Sequence, residues 1–185
     1  MNMRILKIIF ISLLVIIVVP LVIAIFLKKE YSVERDIIIN KPKAEVFEYV
    51  KYLRNQQYYS KWDSMDPNMK KEYRGEDAKV GFVYIWDSKL DSVGAGEQEI
   101  KNIIEGEKIE YELRFLRPFE STEQSYLKTE IIGETQTKVT WAFSGKVSYP
   151  FNFSLLFMNI EKMIAGDLEI GLSNLKKVLE SDEVN

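Results

Sequence analysis

Between Glu107 and Arg117 the chain reads EKIEYELRFLR, and within it Ile109, Tyr111, Leu113 and Phe115 alternate without a break with Lys108, Glu110, Glu112 and Arg114. Successive side chains of a strand point to opposite faces. A helix would scatter these four apolar residues around its circumference, whereas a strand gathers them on one side. The pattern therefore predicts an antiparallel sheet with one face on a core and the other in water. Val139, Trp141 and Phe143 repeat the alternation, and Leu127, Thr129 and Ile131 do so more weakly. In the run Val80–Asp87, Phe82, Tyr84 and Trp86 share one face while Val83 and Ile85 share the other. Turns are expected at Gly94 with Gly96, at Gly106, and from Gly133 towards Thr137. Five or six strands are expected in this central stretch.

Ahead of them, Tyr31–Asn40 is rich in β-branched residues and predicts a first strand. A helix follows, with Pro42 near its first position, Asn40 or Lys41 as cap, and Val46, Phe47, Val50 and Leu53 at helical spacing. Gln56–Asp66 predicts a second short helix or turn, with Trp62 as a packing anchor. After the strands, a long helix is expected over Phe153–Glu180, its apolar stripe running through Leu156, Ile160, Met163, Ile164, Leu168, Leu172, Leu175, Val178 and Leu179. Gly166 and Gly171 interrupt this helix at about 1 kcal/mol each relative to alanine, which suggests close approach to the sheet or room for something else. A curved sheet with one apolar face needs a cover, and the last helix is the only element long enough to supply it.

The first thirty residues follow a different logic. From Ile8 to Leu27 the chain is IIFISLLVIIVVPLVIAIFL, with no charge. At 1.5 Å per residue such a helix is about 30 Å long, the thickness of a bilayer core. A cleaved signal peptide has an apolar region of roughly 7–15 residues ending at a small-x-small site. This run is longer and ends in Ile25-Phe26-Leu27 followed by two lysines, so residues 1–30 are expected to form an uncleaved single-pass transmembrane anchor, with Pro20 as a kink. Arg4, Lys7 and the terminal amine favour a cytoplasmic N-terminus, although Lys28 and Lys29 oppose them. The soluble domain, residues 31–182, is then expected outside the cytoplasm.

Composition narrows the chemistry. Cysteine and histidine are both absent, which removes thiolate chemistry, disulfides and the commonest general base and metal ligand. The net charge of −3 conceals an asymmetry: four of the 25 basic residues flank the apolar run and none of the 28 acidic ones precedes Glu30, which leaves −7 on the remainder. A domain so acidic, with no basic stripe, should repel phosphate backbones, and nucleic acid is not expected as a partner. Glycine-rich phosphate loops and nucleophile elbows are missing. Glu97 and Glu99 share a strand face near Asp87 and Asp91, but DSKLDS lacks the ligand count of a calcium loop, and a solvated acidic face is the plainer reading. No catalytic residue, metal site or cofactor is expected.

What remains is an inward-facing aromatic set: Tyr84, Trp86, Tyr111, Phe115, Trp141 and Phe143, with Phe157 and Ile164 opposite them on the final helix. Taken singly these are core residues. As a group, with the Tyr84 and Tyr111 hydroxyls among them, they read as the wall of a ligand cavity. Two polar residues fall on apolar faces. Arg35 lies between Val33 and Ile37, where it either holds a carboxylate or phosphate headgroup or snorkels from a strand end. Gln98 shares a face with Ile100.

This order of elements, together with IIINKPKAEVFEYV (residues 37–50), Trp62, VGFVYIWDSKLDSVGAGEQEI (80–100), TKVTWAFSG (137–145) and GLSNLKKVLE (171–180), resembles the SRPBCC superfamily, the START-like or helix-grip proteins, and within it the polyketide cyclase/dehydrase-like branch. The resemblance implies an α+β helix-grip fold, a curved antiparallel sheet wrapped around a long C-terminal helix, with an internal hydrophobic cavity. Such proteins bind lipids or hormones, cyclise polyketides, or regulate partners, and no fixed residue signature carries over. The expected function is a membrane-anchored binder of a hydrophobic small molecule or lipid, with Arg35, Tyr84, Trp86, Gln98, Tyr111, Phe115, Trp141, Phe143, Phe157 and Ile164 as ligand contacts. An enzyme acting on an enclosed apolar substrate and a regulatory module using the acidic face (Glu110, Glu112) stay open as alternatives, as does the oligomeric state.

Overall fold

The computed structural model describes residues 3–181, so the ends of the expected anchor and soluble domain (residues 1, 2 and 182) lie outside the described residues. The chain divides into two compact units.

The first unit comprises residues 3–31 together with residues 146–160. Helix α1, Met3–Phe26, carries the apolar run, with Pro20 inside it. Among the described residues it is the one helix long and apolar enough to cross a membrane. Residues Phe151–Leu156 form a short 3-10 helix. The expected single helix from Phe153 is thus corrected: the Phe157 and Met158 N–H groups turn back onto the Ser154 carbonyl, which closes the turn. The long helix α4 begins only at Ile160. Asn159, a residue type that favours the position before a helix, is the signal that marks this restart.

The second unit, residues 32–145 with 161–181, contains the sheet. Its strands are β1 (Glu30–Ile39, which enters from the first unit), β2 (Lys70–Arg74), β3 (Val83–Asp87), β4 (Ala95–Ile104), β5 (Lys108–Arg117), β6 (Ser121–Gly133) and β7 (Gln136–Lys146). They form one curved antiparallel sheet in the order β1-β7-β6-β5-β4-β3-β2. Between β1 and β2 lie α2 (Lys43–Lys51), a 3-10 turn over Leu53–Tyr58, and α3 (Lys61–Met65). Val46, Phe47, Val50 and Leu53 are all buried. The expected cap on α2 differs. Pro42, with φ −58° and ψ 144°, occupies the N-cap position without a side-chain bond, and the side-chain Oδ1 of Asn40 accepts instead from Gln136 Nε2 at 2.8 Å.

On β5 the alternation has its predicted consequence: Ile109 and Tyr111 are buried on the concave side, each burial stabilising by about 1.5–3 kcal/mol. The strand's charged face is a convex ion network. Arg114 contacts Glu97 at 2.6 Å, Glu99 at 2.8 Å and also Glu112, while Lys108 reaches Glu110 at 2.7 Å. The expected solvated acidic face is therefore largely neutralised by its own cations.

Three glycines follow from packing. Gly94 (φ +67°) makes the turn between β3 and β4, where an added Cβ would lie 2.0 Å from the Arg117 carbonyl oxygen. Gly96, expected in that turn, sits instead within β4, and a Cβ there would strike the Trp86 ring at 2.6 Å. Gly171 brings α4 onto the sheet, its Cβ position lying 2.6 Å from the Trp141 ring, whereas Gly166 faces open space. The stripe of α4 is accordingly shorter than expected. Ala165, Leu168, Leu172 and Leu175 are buried, but Met163 is exposed. On β6, Ile131 keeps its register opposite Thr137 but is exposed, just ahead of a shift between Ile131 and Gly133.

Candidate functional site

Strand register decides which side chains share the concave face. Tyr84 stands opposite Gln98, and Trp86 opposite Gly96. Lys71 stands opposite Trp86, and Tyr73 opposite Tyr84. Directly opposed residues point to the same side, so β2 contributes Lys71 and Tyr73 to the same wall as Tyr84 and Trp86. Aromatic rings then run across the sheet in one chain. Tyr73 stacks on Tyr84 (centroids 5.5 Å apart), Tyr84 meets Trp86 (6.0 Å), Trp86 meets Phe115 edge-on (5.7 Å), and Phe115 meets Phe143 (6.5 Å). These separations lie in the favourable range for aromatic pairs. Leu113, Phe115, Trp62 and Ile164 are only half-buried, so the middle of this wall is incompletely covered by the protein's own atoms.

Trp141 is engaged in packing. Its indole N–H donates to Ser125 Oγ (3.2 Å), its ring receives the edges of Tyr59 (5.7 Å) and Trp62 (6.2 Å), and Gly171 lies against it. Around Trp141 sheet and helix are in direct contact, and the incompletely covered part of the wall lies nearer Phe115.

A polar cluster is set into the β2–β3 end of the wall. Asp63, 5% exposed, is delivered by α3, whose N-cap Ser60 accepts from the Asp63 N–H. Its Oδ1 accepts from Lys71 Nζ at 2.8 Å and from Tyr84 Oη at 2.9 Å. A buried carboxylate needs such partners. Burial above all, and then the Asp63 charge, pushes the Tyr84 phenol far up, so that it remains a donor at any physiological pH. Nearby, Gln98 Nε2 donates to Gln56 Oε1 at 3.2 Å, both side chains being buried. The Tyr111 hydroxyl is fully buried and has no hydrogen-bond partner among the described atoms. Burial chiefly, with a contribution from Asp77, also pushes its phenol up. Such a hydroxyl is costly to leave unmade and is suited to a polar atom brought in from outside.

The expected contacts thus separate. Tyr84, Trp86, Gln98, Tyr111, Phe115, Phe143 and Trp141 share one face of the sheet, Trp141 at the part that α4 covers. Ile164 lies half-buried on α4. Arg35 is drawn away: its Nε donates to Glu169 Oε1 at 2.6 Å and its side chain is 41% exposed, the snorkelling arrangement. Phe157 is corrected most. It belongs to the first unit, precedes α4, packs on Phe153 at 5.5 Å and is 77% exposed.

Sequence reasoning missed Asp63, Lys71, Gln56 and a further buried acid, Glu123, which is opposite Leu113 in the concave register of β6. Lys71 was hidden because KKEYR shows no apolar alternation. Glu123 was signalled by its period-two spacing from Ser125 and Leu127. Asp63 and Gln56 lie in short helical turns, where a polar residue carries no mark of burial.

Residues 30–180 match the family model for polyketide cyclase / dehydrase and lipid transport. Comparison with curated protein sequences gives no match. Among solved structures, a protein from Nitrosospira multiformis superposes with a TM-score of 0.61 at 15% identity, covering 84% of this chain and 100% of that one. Norcoclaurine synthase from Thalictrum flavum, in complex with dopamine and hydroxybenzaldehyde, gives 0.63 at 9% identity, covering 84% and 90%. The Aha1 protein from Colwellia psychrerythraea gives 0.56 at 13% identity, covering 83% and 98%. At these identities the likeness concerns the fold.

Proposed function

Because this chain belongs to the polyketide cyclase / dehydrase and lipid transport family, we propose that it is a membrane-tethered binding protein that encloses a hydrophobic small molecule or lipid. Residues 1–30 act as the tether and residues 31–182 as the binding domain, on the outer side of the membrane. The observation that carries this reading is the ring chain from Tyr73 to Phe143, whose middle, at Leu113 and Phe115, is only half covered. Ligand sites combine such apolar walls with a few convergent polar groups, and here Tyr111 Oη and the Gln56–Gln98 pair supply them. That norcoclaurine synthase holds two aromatic molecules on the same fold lends support to a guest of this size. The ion pairing of Glu110 and Glu112 with neighbouring cations weighs against a regulatory acidic face.

Native mass spectrometry of the full chain after gentle detergent extraction tests the reading. A discrete small-molecule adduct is expected on the intact protein, and its occupancy should fall sharply in Phe115→Lys, which places a charge on the apolar wall. An unliganded wild-type chain, or an adduct indifferent to Phe115→Lys, would refute it.

One observation favours a second reading, catalysis of a cyclisation or dehydration. Asp63, Lys71 and Tyr84 form a buried acid, ammonium and phenol cluster on the same wall, the arrangement needed to accept and return a proton. In that case Tyr84→Phe or Lys71→Met would retain the unreacted substrate, whose adduct would differ from that on the wild type in mass for a dehydration, or in fragmentation pattern for a cyclisation that loses no water. Identical adducts on all three proteins count against catalysis.

A further inference from the structure

Val147 to Ile160, VSYPFNFSLLFMNI, contains no charged residue. Within it Tyr149, Phe151, Leu156, Phe157 and Met158 are exposed, Phe151 to 73%. Isolated exposed apolar residues are ordinary, but five within ten positions make a patch that requires a partner.

The structure also fixes where this patch sits relative to α1. The last carbonyls of any helix lack intrahelical donors, and close to hydrocarbon they cannot turn to water. Asn152, fully buried, donates from Nδ2 to the Ala24 carbonyl at 2.7 Å and to the Leu27 carbonyl at 3.4 Å. Ala24 is itself buried, whereas the rest of α1 is exposed apart from the half-buried Pro20 and Leu21. Five residues earlier, the Val147 N–H donates to the Lys29 carbonyl at 2.8 Å. Residues 147–152 are thereby bonded to residues 24–29 and share their depth. Those residues are the boundary of the apolar run, where Leu27 gives way to Lys28 and Lys29 and where long lysine stems can reach back to water.

We propose that residues 149–158 are a second membrane-contacting element, an aromatic platform seated in the interfacial layer of the bilayer at the end of α1. The proposal rests on the reading of α1 as a transmembrane anchor. Tyr concentrates at that layer, Phe and Leu form the apolar faces of elements that lie in it, and an apolar surface bonded to the end of a spanning helix meets lipid before any other partner. Asn152 acts as the rivet, because it satisfies the helix end while holding the platform at its level.

The chain has no cysteine, so Phe151→Cys, Phe157→Cys and Ile16→Cys each give a single labelling site in the full-length protein. Each is labelled with an environment-sensitive nitrobenzoxadiazole dye and reconstituted in phosphatidylcholine–phosphatidylglycerol vesicles. Nitroxide lipids carry the quencher either near the headgroup or near the chain terminus. Expected are blue-shifted emission at 151 and 157 with stronger loss from the shallow nitroxide, and stronger loss from the deep nitroxide at 16. Quenching at 16 without quenching at 151 and 157 overturns the platform and leaves the anchor intact, as does a blue shift at 151 and 157 that neither nitroxide quenches, which means coverage by protein. Absence of quenching at 16 removes the anchor, and the platform with it.

Discussion

Gly166→Ala and Gly171→Ala make a matched pair on one helix. Both residues lie inside α4, and each change gains about 1 kcal/mol of helix propensity. That gain cancels when the two variants are compared, leaving only the surroundings. At Gly166 an added methyl meets nothing within 4 Å, whereas at Gly171 it would lie 2.6 Å from the Trp141 ring. Trp141 has little freedom to retreat, since it is bonded to Ser125 and held by the edges of Tyr59 and Trp62. Overpacking a well-packed site costs about 1–3 kcal/mol. Gly166→Ala should therefore be stabilising by about 1 kcal/mol, and Gly171→Ala should fall below it by about 1–3 kcal/mol. For a domain of this size each kcal/mol corresponds to about 2–4 °C in Tm. Thermal unfolding of the full chain in detergent, followed by far-UV circular dichroism, measures the difference, and near-UV signals report whether the tryptophans are disturbed. Equal Tm values for the two variants would show that α4 does not press on the sheet at Trp141, and the placement of the guest near Phe115 would lose its basis.

Other outcomes follow from the electrostatics and the tether. Burial pushes the Tyr59, Tyr84 and Tyr111 phenols well up, and Tyr49 (burial, then Tyr58) and Tyr126 (burial, then its bond to Glu34) to about 12. The unfolded chain loses these protons near pH 10 while the folded chain keeps them, so this stability is complete below pH 10. It declines above that, by about 1.4 kcal/mol per pH unit for each of Tyr59, Tyr84 and Tyr111; spectrophotometric titration should show these three ionising only with unfolding and Tyr49 and Tyr126 near pH 12, and smooth ionisation of all ten tyrosines near pH 10 in a folded chain would contradict their burial. Arg114→Met strands Glu97, Glu99 and Glu112 beside one another. Burial pushes the Glu99 carboxyl up, but bonds from Arg114 and Lys101 outweigh it and hold it below its usual range, so its contribution exists above about pH 4 and vanishes as pH falls through the folded value. The variant should be weaker than wild type in urea at pH 7 and approach it only well below pH 4, once the pH has fallen through the lowered folded value of Glu99; an equal deficit at both ends would assign the loss to packing instead. Protein extracted from membranes should have the intact mass of 21.6 kDa. A product lacking the first thirty residues would make the apolar run a signal peptide.

Local pattern was enough to specify most of the architecture. Period two in β5 and β7, helical spacing in α2 and α4, and the uncharged run of α1 are each properties of neighbouring residues, and each maps to one geometry. The inward direction of Tyr84, Trp86, Gln98 and Tyr111 was equally legible, because strand alternation alone settles it. What lay beyond the sequence depended on partners distant along the chain. Asp63 becomes part of the wall only because α3 is folded over β2 and β3, and no local signal separates it from a surface acid. Arg35 had the register of an inward residue, yet Glu169, 134 positions away, draws it to the rim. In the sequence Gly96 reads as a turn residue and Gly171 as a helix interruption, and only tertiary contact reveals that each makes room for a tryptophan. Periodicity reports which face a side chain takes; what it meets there is decided by non-local packing, where charge pairing and steric exclusion act between residues the sequence keeps far apart.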